Sequence, residues 1–403
     1  MRAYSVVLMV LLLVIPPPLC AQKHDDLAGH NENDAVTAAI EHLRNLEYEA
    51  GKQQLRAWAE THPADLRAWN YLATATLYQE MYERGVLDSS VYGQGGDIFK
   101  ANKVSIRPAF QQELLSVLDT AQNIAEQRLK QDPRDKDAMY WAGVSHGTRA
   151  TYHFTLRKEY MAALHEATAA YKYHAELLKG DPRYIDCYLI VGVNNYVLGS
   201  LPWYVKVMAA MTGRHGDRAE GLKQIKRVTD EGNYARDDAK LTLAVLYQRE
   251  KMYSQALALY KEMALSYTRN YLIQYETSAL HHLLTEWHSA AQGYDAIMIK
   301  HRANALGFRN IPSGKILYHA GQAYEHLGEN ELALSRYAEA ASLAGDDHYT
   351  YLAELATADL EMRLQHPDRA RAHYQRIAAE KPNTDEGRSA RHAIKKLESY
   401  TRE

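Results

Sequence analysis

The sequence predicts an all-α solenoid of roughly eight antiparallel helix pairs, closed by a C-terminal capping helix. Three observations predict it: small residues recur twelve positions apart, aromatic residues follow at a fixed step, and Gly or Asp-Pro punctuates the units. Each is a packing requirement. Antiparallel helices approach closely only where facing side chains are small, and rings fill the space beside them. Gly ends helices, while Pro cannot continue one but can open the next.

The plainest unit spans residues 312–346, with Leu317, Gly321, Tyr324, Ala333, Tyr337 and Ala340 in order. Leu327-Gly328-Glu329-Asn330 supplies its internal turn. Leu243, Ala244, Tyr247, Ala256 and Tyr260 repeat the register, and Ala290 and Tyr294 continue it 34 residues after Ala256 and Tyr260. Ala358, Ala370, Tyr374 and Pro382 close a further unit. Upstream, the segments from Asp132-Pro133-Arg134 to Gly143 and from Asp181-Pro182-Arg183 to Gly192 align with each other. Ala57 and Pro63 lead into Trp69, Leu72 and Ala73, another first-helix pattern. Residues 385–400 are charged and amphipathic, as a capping helix must be when only one of its faces meets the last repeat. Over residues 35–400 this spacing resembles the tetratricopeptide repeat (TPR). That resemblance implies a right-handed stack whose first helices line a concave face.

Two stretches break the rhythm. Residues 85–108, with Gly93, Gly95 and Gly96, read as a long loop within the N-terminal repeats of residues 35–198. Residues 199–218 read as an irregular apolar insertion ahead of the C-terminal repeats, residues 219–403. In residues 199–250, Leu201-Pro202, Gly213, Gly216-Asp217-Arg218 and Gly221-Leu222 resemble a segment of the inclusion-body clearance proteins, tetratricopeptide proteins associated with outer membranes. The pattern departs at His215, where that family carries an aromatic residue, and in the leader described next. The resemblance implies a repeat protein without enzymatic activity.

Residues 1–21 read as a signal peptide of bacterial type. Arg2 provides the positive end, residues 6–15 (VVLMVLLLVI) an apolar run, and Leu19-Cys20-Ala21 a cleavage site before Gln22. Ten apolar residues are too few to cross a bilayer, which takes about 20. Leu19 stands where acylation of Cys20 would want a smaller residue. The expected destination is the periplasm or the outer-membrane surface, where Cys187 would be the one remaining thiol and no internal disulfide could form.

Composition narrows the function classes. A formal charge of −3 gives no reason to expect nucleic acid as a partner. Thirty Tyr against four Phe suit thin cores whose rings end at a wet edge. No cofactor or metal is expected. His281, His282, Glu286 and His288 form the densest metal-type cluster but lack HExxH, and no CxxC occurs. His146, His153, His165 and His174 read as surface and edge residues. Cys187 reads as a packed thiol, and Gly93-Gln94-Gly95-Gly96 lacks the Lys-Ser/Thr of a phosphate loop.

The expected activity is therefore binding. Positions pointing inward from the first helices give a peptide groove of Tyr140 and Val144; Leu189, Val193 and Tyr196; Leu241, Val245 and Gln248; Tyr275 and His282; and Tyr318, Gln322 and Glu325. The set is Tyr-rich and mostly apolar, which suits an exported scaffold holding a protein or peptide. An alternative is a membrane-peripheral protein taking lipid or a small ligand, with Trp203, Lys206 and Met208 as the contact.

Overall fold

A computed structural model describes residues 35–87, 106–201, 206, 215–343 and 348–400. The expected signal peptide, residues 88–105 of the expected loop, and Trp203 and Met208 lie outside the described residues. Lys206 is described, and is helical and exposed. No strand occurs among the described residues.

Helices follow one another in pairs. They are α1 (Ala35–Arg44) with α2 (Tyr48–Thr61), α3 (Leu66–Glu83) with α4 (Pro108–Gln131), and α5 (Lys136–Tyr152) with α6 (Tyr160–Gly180). Next come α7 (Tyr188–Gly199) with α8 (Arg218–Glu231), and α9 (Arg236–Arg249) with α10 (Tyr253–Ser266). Then come α11 (Tyr271–Leu283) with α12 (Trp287–Arg302), α13 (Ser313–Leu327) with α14 (Asn330–Ser342), and α15 (His348–Arg363) with α16 (Pro367–Glu380). The last is α17 (Asp385–Tyr400). This is a TPR-type architecture. It divides into two compact units, Met1–Tyr267 and Thr268–Glu403, so the division falls between α10 and α11.

Local chemistry sets the ends of these helices. Asp65, Asp135, Asp217 and Asn270 cap α3, α5, α8 and α11 by accepting first-turn amide hydrogen bonds. At the turn inside a pair, the first helix closes with a residue in the left-handed region: Leu46, Lys251, Thr285, Gly328 and Gln365, with φ from 60° to 75°. The following amide then reaches back five residues. Glu47 donates to the His42 carbonyl, Glu286 to His281 and Glu329 to Tyr324, which consumes carbonyls the helix end would leave bare.

One register packs the pairs. Ala244, Ser278, Gly321 and Ala358 stand sixteen residues ahead of Tyr260, Tyr294, Tyr337 and Tyr374, and all eight are buried. Gly321 shows why position eight is small: a Cβ there would lie 2.4 Å from the Tyr337 ring. Ala256, Ala290, Ala333 and Ala370 are fully enclosed at the matching place on the second helices. In the α7–α8 pair backbone meets backbone. A Cβ on Gly221 would meet the Gly192 carbonyl at 2.5 Å, so the two backbones touch across the interrupted stretch.

The N-terminal unit closes on itself. Arg44, at the end of α1, donates to both Asp237 of α9 and the Tyr267 hydroxyl beyond α10, with side-chain exposures of 8% for Arg44 and 13% for Asp237. Inside, Tyr71 packs edge-on to Trp141 at 5.6 Å, and Tyr234 meets both Trp141 at 5.6 Å and Tyr140 at 6.0 Å. The buried carboxylate of Asp186 accepts amides from Asn233, Tyr234 and Ala235 at 2.7, 3.0 and 3.1 Å. It thereby fixes the chain entering α9.

His174 is not an edge residue. It is 1% exposed, stacked on Tyr140, and its Nε2–H donates to the Tyr140 carbonyl at 3.0 Å. Burial lowers its imidazole from the ordinary 6.5 to about 4.

Candidate functional site

The expected groove separates into two kinds of residue. In the N-terminal unit, Tyr140, Val144, Leu189, Val193 and Tyr196 are all buried, the first two in the large N-terminal core and the other three in the core under α7 to α9. This corrects their assignment to a free face. Their partners lie within the unit: Tyr140 packs on His174, Tyr184 and Tyr234, and the Tyr196 hydroxyl donates to Glu250. Leu241 and Val245 are half-buried, and Gln248 is buried with its amide on the Tyr260 hydroxyl at 3.3 Å.

In the C-terminal unit Tyr275 is buried too, but the last three expected positions are half-buried at a cleft. Tyr318, Gln322 and Glu325 line a cleft of about 1120 Å³, together with Arg363 and Asp359 of α15 and Arg388, His392 and Lys396 of α17. Tyr275 lies just outside this set. It is buried beside Tyr294, with the Lys315 ammonium 4.6 Å above its ring. His282 is half-buried against Trp287, whose indole stacks on His326 at 4.0 Å.

The floor of the cleft follows from the packing register. Tyr337 and Tyr374 sink their rings against the small residues of the first helices, which carries each hydroxyl to the cleft. Tyr337 donates to Glu325 at 2.8 Å, and Tyr374 donates to Asp359 at 2.5 Å. Burial, with the carboxylate each touches, pushes both phenols above their ordinary range, so both remain donors. Arg363 adds a second donor to Glu325 at 2.6 Å. Gln322 donates to the Tyr318 hydroxyl at 3.0 Å and contacts His319 Nδ1 at 2.9 Å. Both cleft carboxylates thus already hold a donor.

The opposite wall is basic. Arg388, His392 and Lys396 stand four residues apart on α17, one stripe along its face, and all three are exposed. Reading α17 only as a cap missed this wall, although the i, i+4, i+8 spacing was visible. The lining is mixed and carries more charge than the expected groove: hydroxyls, amides and ionic groups stand beside Ala356, Met362, Ala393 and Leu397.

Two chemical candidates resolve simply. Cys187 is fully buried, and burial, with the neighbouring Asp186, drives its thiol well above the ordinary value, so it is no activated nucleophile. His281 pairs with Glu286, and no group of three or more His, Cys, Asp or Glu that could hold a metal occurs among the described residues. No helix among them is long and apolar enough to cross a membrane.

No protein-family model matches the chain, and no curated protein matches it. Among solved structures it is similar to yeast Tom70, at 13% identity and a TM-score of 0.37, over 92% of this chain and 90% of that one. It is similar to human IFIT1, crystallised as a dimer with m7Gppp-AAAA, at 12% identity and 0.41, over 98% and 85%. A third is PilW, a type IV pilus biogenesis factor, at 14% and 0.39, over 60% and 94%. Similarity at this level says nothing of what the chain binds, and the fold rests on the registers described above.

Proposed function

We propose that this chain is an exported scaffold that holds another protein, and that its binding site is the cleft of the C-terminal unit. The observation that carries the reading is the cleft of about 1120 Å³ that Tyr318, Gln322 and Glu325 line, whereas Tyr140, Val144, Leu189, Val193 and Tyr196 are buried in the N-terminal unit. A cleft that combines aromatic floor, spare hydrogen-bonding groups and a charged rim has the make-up of a recognition surface. The buried, disfavoured thiol of Cys187 speaks against its use as a nucleophile. Export to the periplasm or outer-membrane surface is supported by the leader-like residues 1–21.

The test is site-specific photocrosslinking in the native host. A crosslinker placed at His392, in the cleft, should capture a discrete protein partner. The same group at the exposed Lys179 of α6 should not. Equal capture at both positions, or none at His392, defeats the reading. The rival, peripheral membrane contact through Trp203, Lys206 and Met208, predicts that the protein floats with liposomes and that Trp203→Ala/Met208→Ala abolishes flotation.

A further inference from the structure

The permanent charges of the cleft are already matched. Glu325 accepts from the Tyr337 hydroxyl and Arg363, Asp359 accepts from the Tyr374 hydroxyl, Arg388 donates to Asp385, and Lys396 also holds a partner. Two titratable lining groups are left over, one on each wall: His326 of α13 and His392 of α17. Both are exposed, and among the described residues neither joins a hydrogen bond or an ion pair. Histidine is also the side chain whose charge changes between about pH 5 and 8.

Each imidazole stands where a proton finds no spare carboxylate. His326 lies flat on Trp287 of α12 with ring centroids 4.0 Å apart, and His282 of α11 stands 6.4 Å from it with its plane turned by 89°. Burial, and the charge that His326 carries when protonated, lower the His282 imidazole, whose enclosed Nδ1 has no hydrogen-bond partner. His319, 6.0 Å from His282, spends its Nδ1 on Gln322. Glu325 adjoins His326 in sequence but already holds its two donors. On the other wall, His392 has Arg388 four residues before it and Lys396 four after, so a charge there meets like charge on both sides. The remaining elements present to the cleft the phenols of Tyr318, Tyr337 and Tyr374, the paired Arg363, and the occupied Asp359.

A partner entering the cleft covers both rings. Taking water away from an imidazole disfavours its charged form, so the complex holds fewer protons than the free chain. Binding is then at full strength above the pH range in which the free imidazoles take up protons, and is lost as pH falls through it. We infer that the cleft is proton-gated, with His326 and His392 letting a partner stay at neutral pH and expelling it in mild acid. This inference rests on the reading of the cleft as the partner site.

The experiment places a photocrosslinker at Ser389, exposed in the cleft lining, and compares capture in extracts of the native host at about pH 7.5 and about pH 5.5. Capture by the full chain should fall by about tenfold or more in acid, since each proton expelled on binding is worth up to about a factor of ten per pH unit. His326→Phe/His392→Gln keeps a ring on Trp287 and a polar group on α17 but titrates at neither position. It should capture alike at both pH values, with circular dichroism showing it folded. His392→Gln alone, at an exposed position, should show part of that flattening, and none would overturn the inference. Capture that holds steady or rises in acid sinks the gate and leaves the cleft reading standing, as does a double variant that still releases its partner in acid. A folded double variant that captures at neither pH makes the imidazoles contacts and not a gate, which overturns the inference too. No capture from Ser389 at either pH by the unsubstituted chain defeats the cleft reading itself, and the gate with it.

Discussion

Tyr is used thirty times and Phe four times because the aromatic position of the repeat works at both ends. The ring of Tyr337 packs on Gly321 while its hydroxyl reaches Glu325, and Tyr260 relates in the same way to Gln248. Phe could fill the first role only. Single buried polar groups set two further expectations. Asp186 holds three backbone amides, so Asp186→Ala should cost on the order of 4 kcal/mol, read as a shift in urea midpoint, because those amides lose their acceptor in the core. His174 should dominate one part of the pH profile. Its folded value, about 4, lies below the ordinary 6.5, so the unfolded chain binds the extra proton between those limits. Its contribution is complete above pH 6.5 and is lost as pH falls toward 4, by about 3 kcal/mol in total. His174→Gln keeps a donor for the Tyr140 carbonyl but does not titrate. Its urea midpoint should be flatter than wild type across that window, and an unchanged slope would refute the assignment.

At the scale of the element, the turn inside each pair is where sequence and structure disagree most informatively. The left-handed position is filled by Gly328 in one repeat but by Thr285 in another, at a φ of 60°. A β-branched residue there is strained, since its Cβ crowds the following carbonyl. Thr285→Gly should raise stability by about 1 kcal/mol and Gly328→Ala should lower it by about the same amount. Paired thermal melts check both signs. The helix pairs themselves were legible because their signals are local: small residues, Gly or Asp-Pro punctuation and the twelve-residue step all act within one unit. The stripe on α17 was equally local, and its meaning needed only the α15 wall opposite. What could not be read was which inward positions stay free. Tyr140 stands three residues before Gly143 as Tyr318 stands before Gly321, and Tyr196 four after Gly192 as Glu325 stands after Gly321, yet the first of each pair is buried and the second half-buried at the cleft. Asp186 was hidden for the same reason, its partners lying 47 to 49 residues away.

For the molecule as a whole, the two units invite different expectations of cooperativity. An open stack gains stability from neighbour to neighbour, and damage at one end frays that end. The N-terminal unit departs from this, because Arg44 of its first helix is tied to Asp237 and Tyr267 at its far end. Removing one partner of a largely buried ion pair typically costs about 3–5 kcal/mol, since the other charge is left unpaired. Arg44→Ala should therefore loosen the whole of this unit and not α1 alone. Hydrogen exchange would read the difference. Protection should fall together in helices as distant as α1, α5 and α9, while α13 to α17 hold theirs, since they belong to a separate compact unit. Loss confined to α1 and α2 would mean that the contact is a local latch and that the first unit behaves as an open stack.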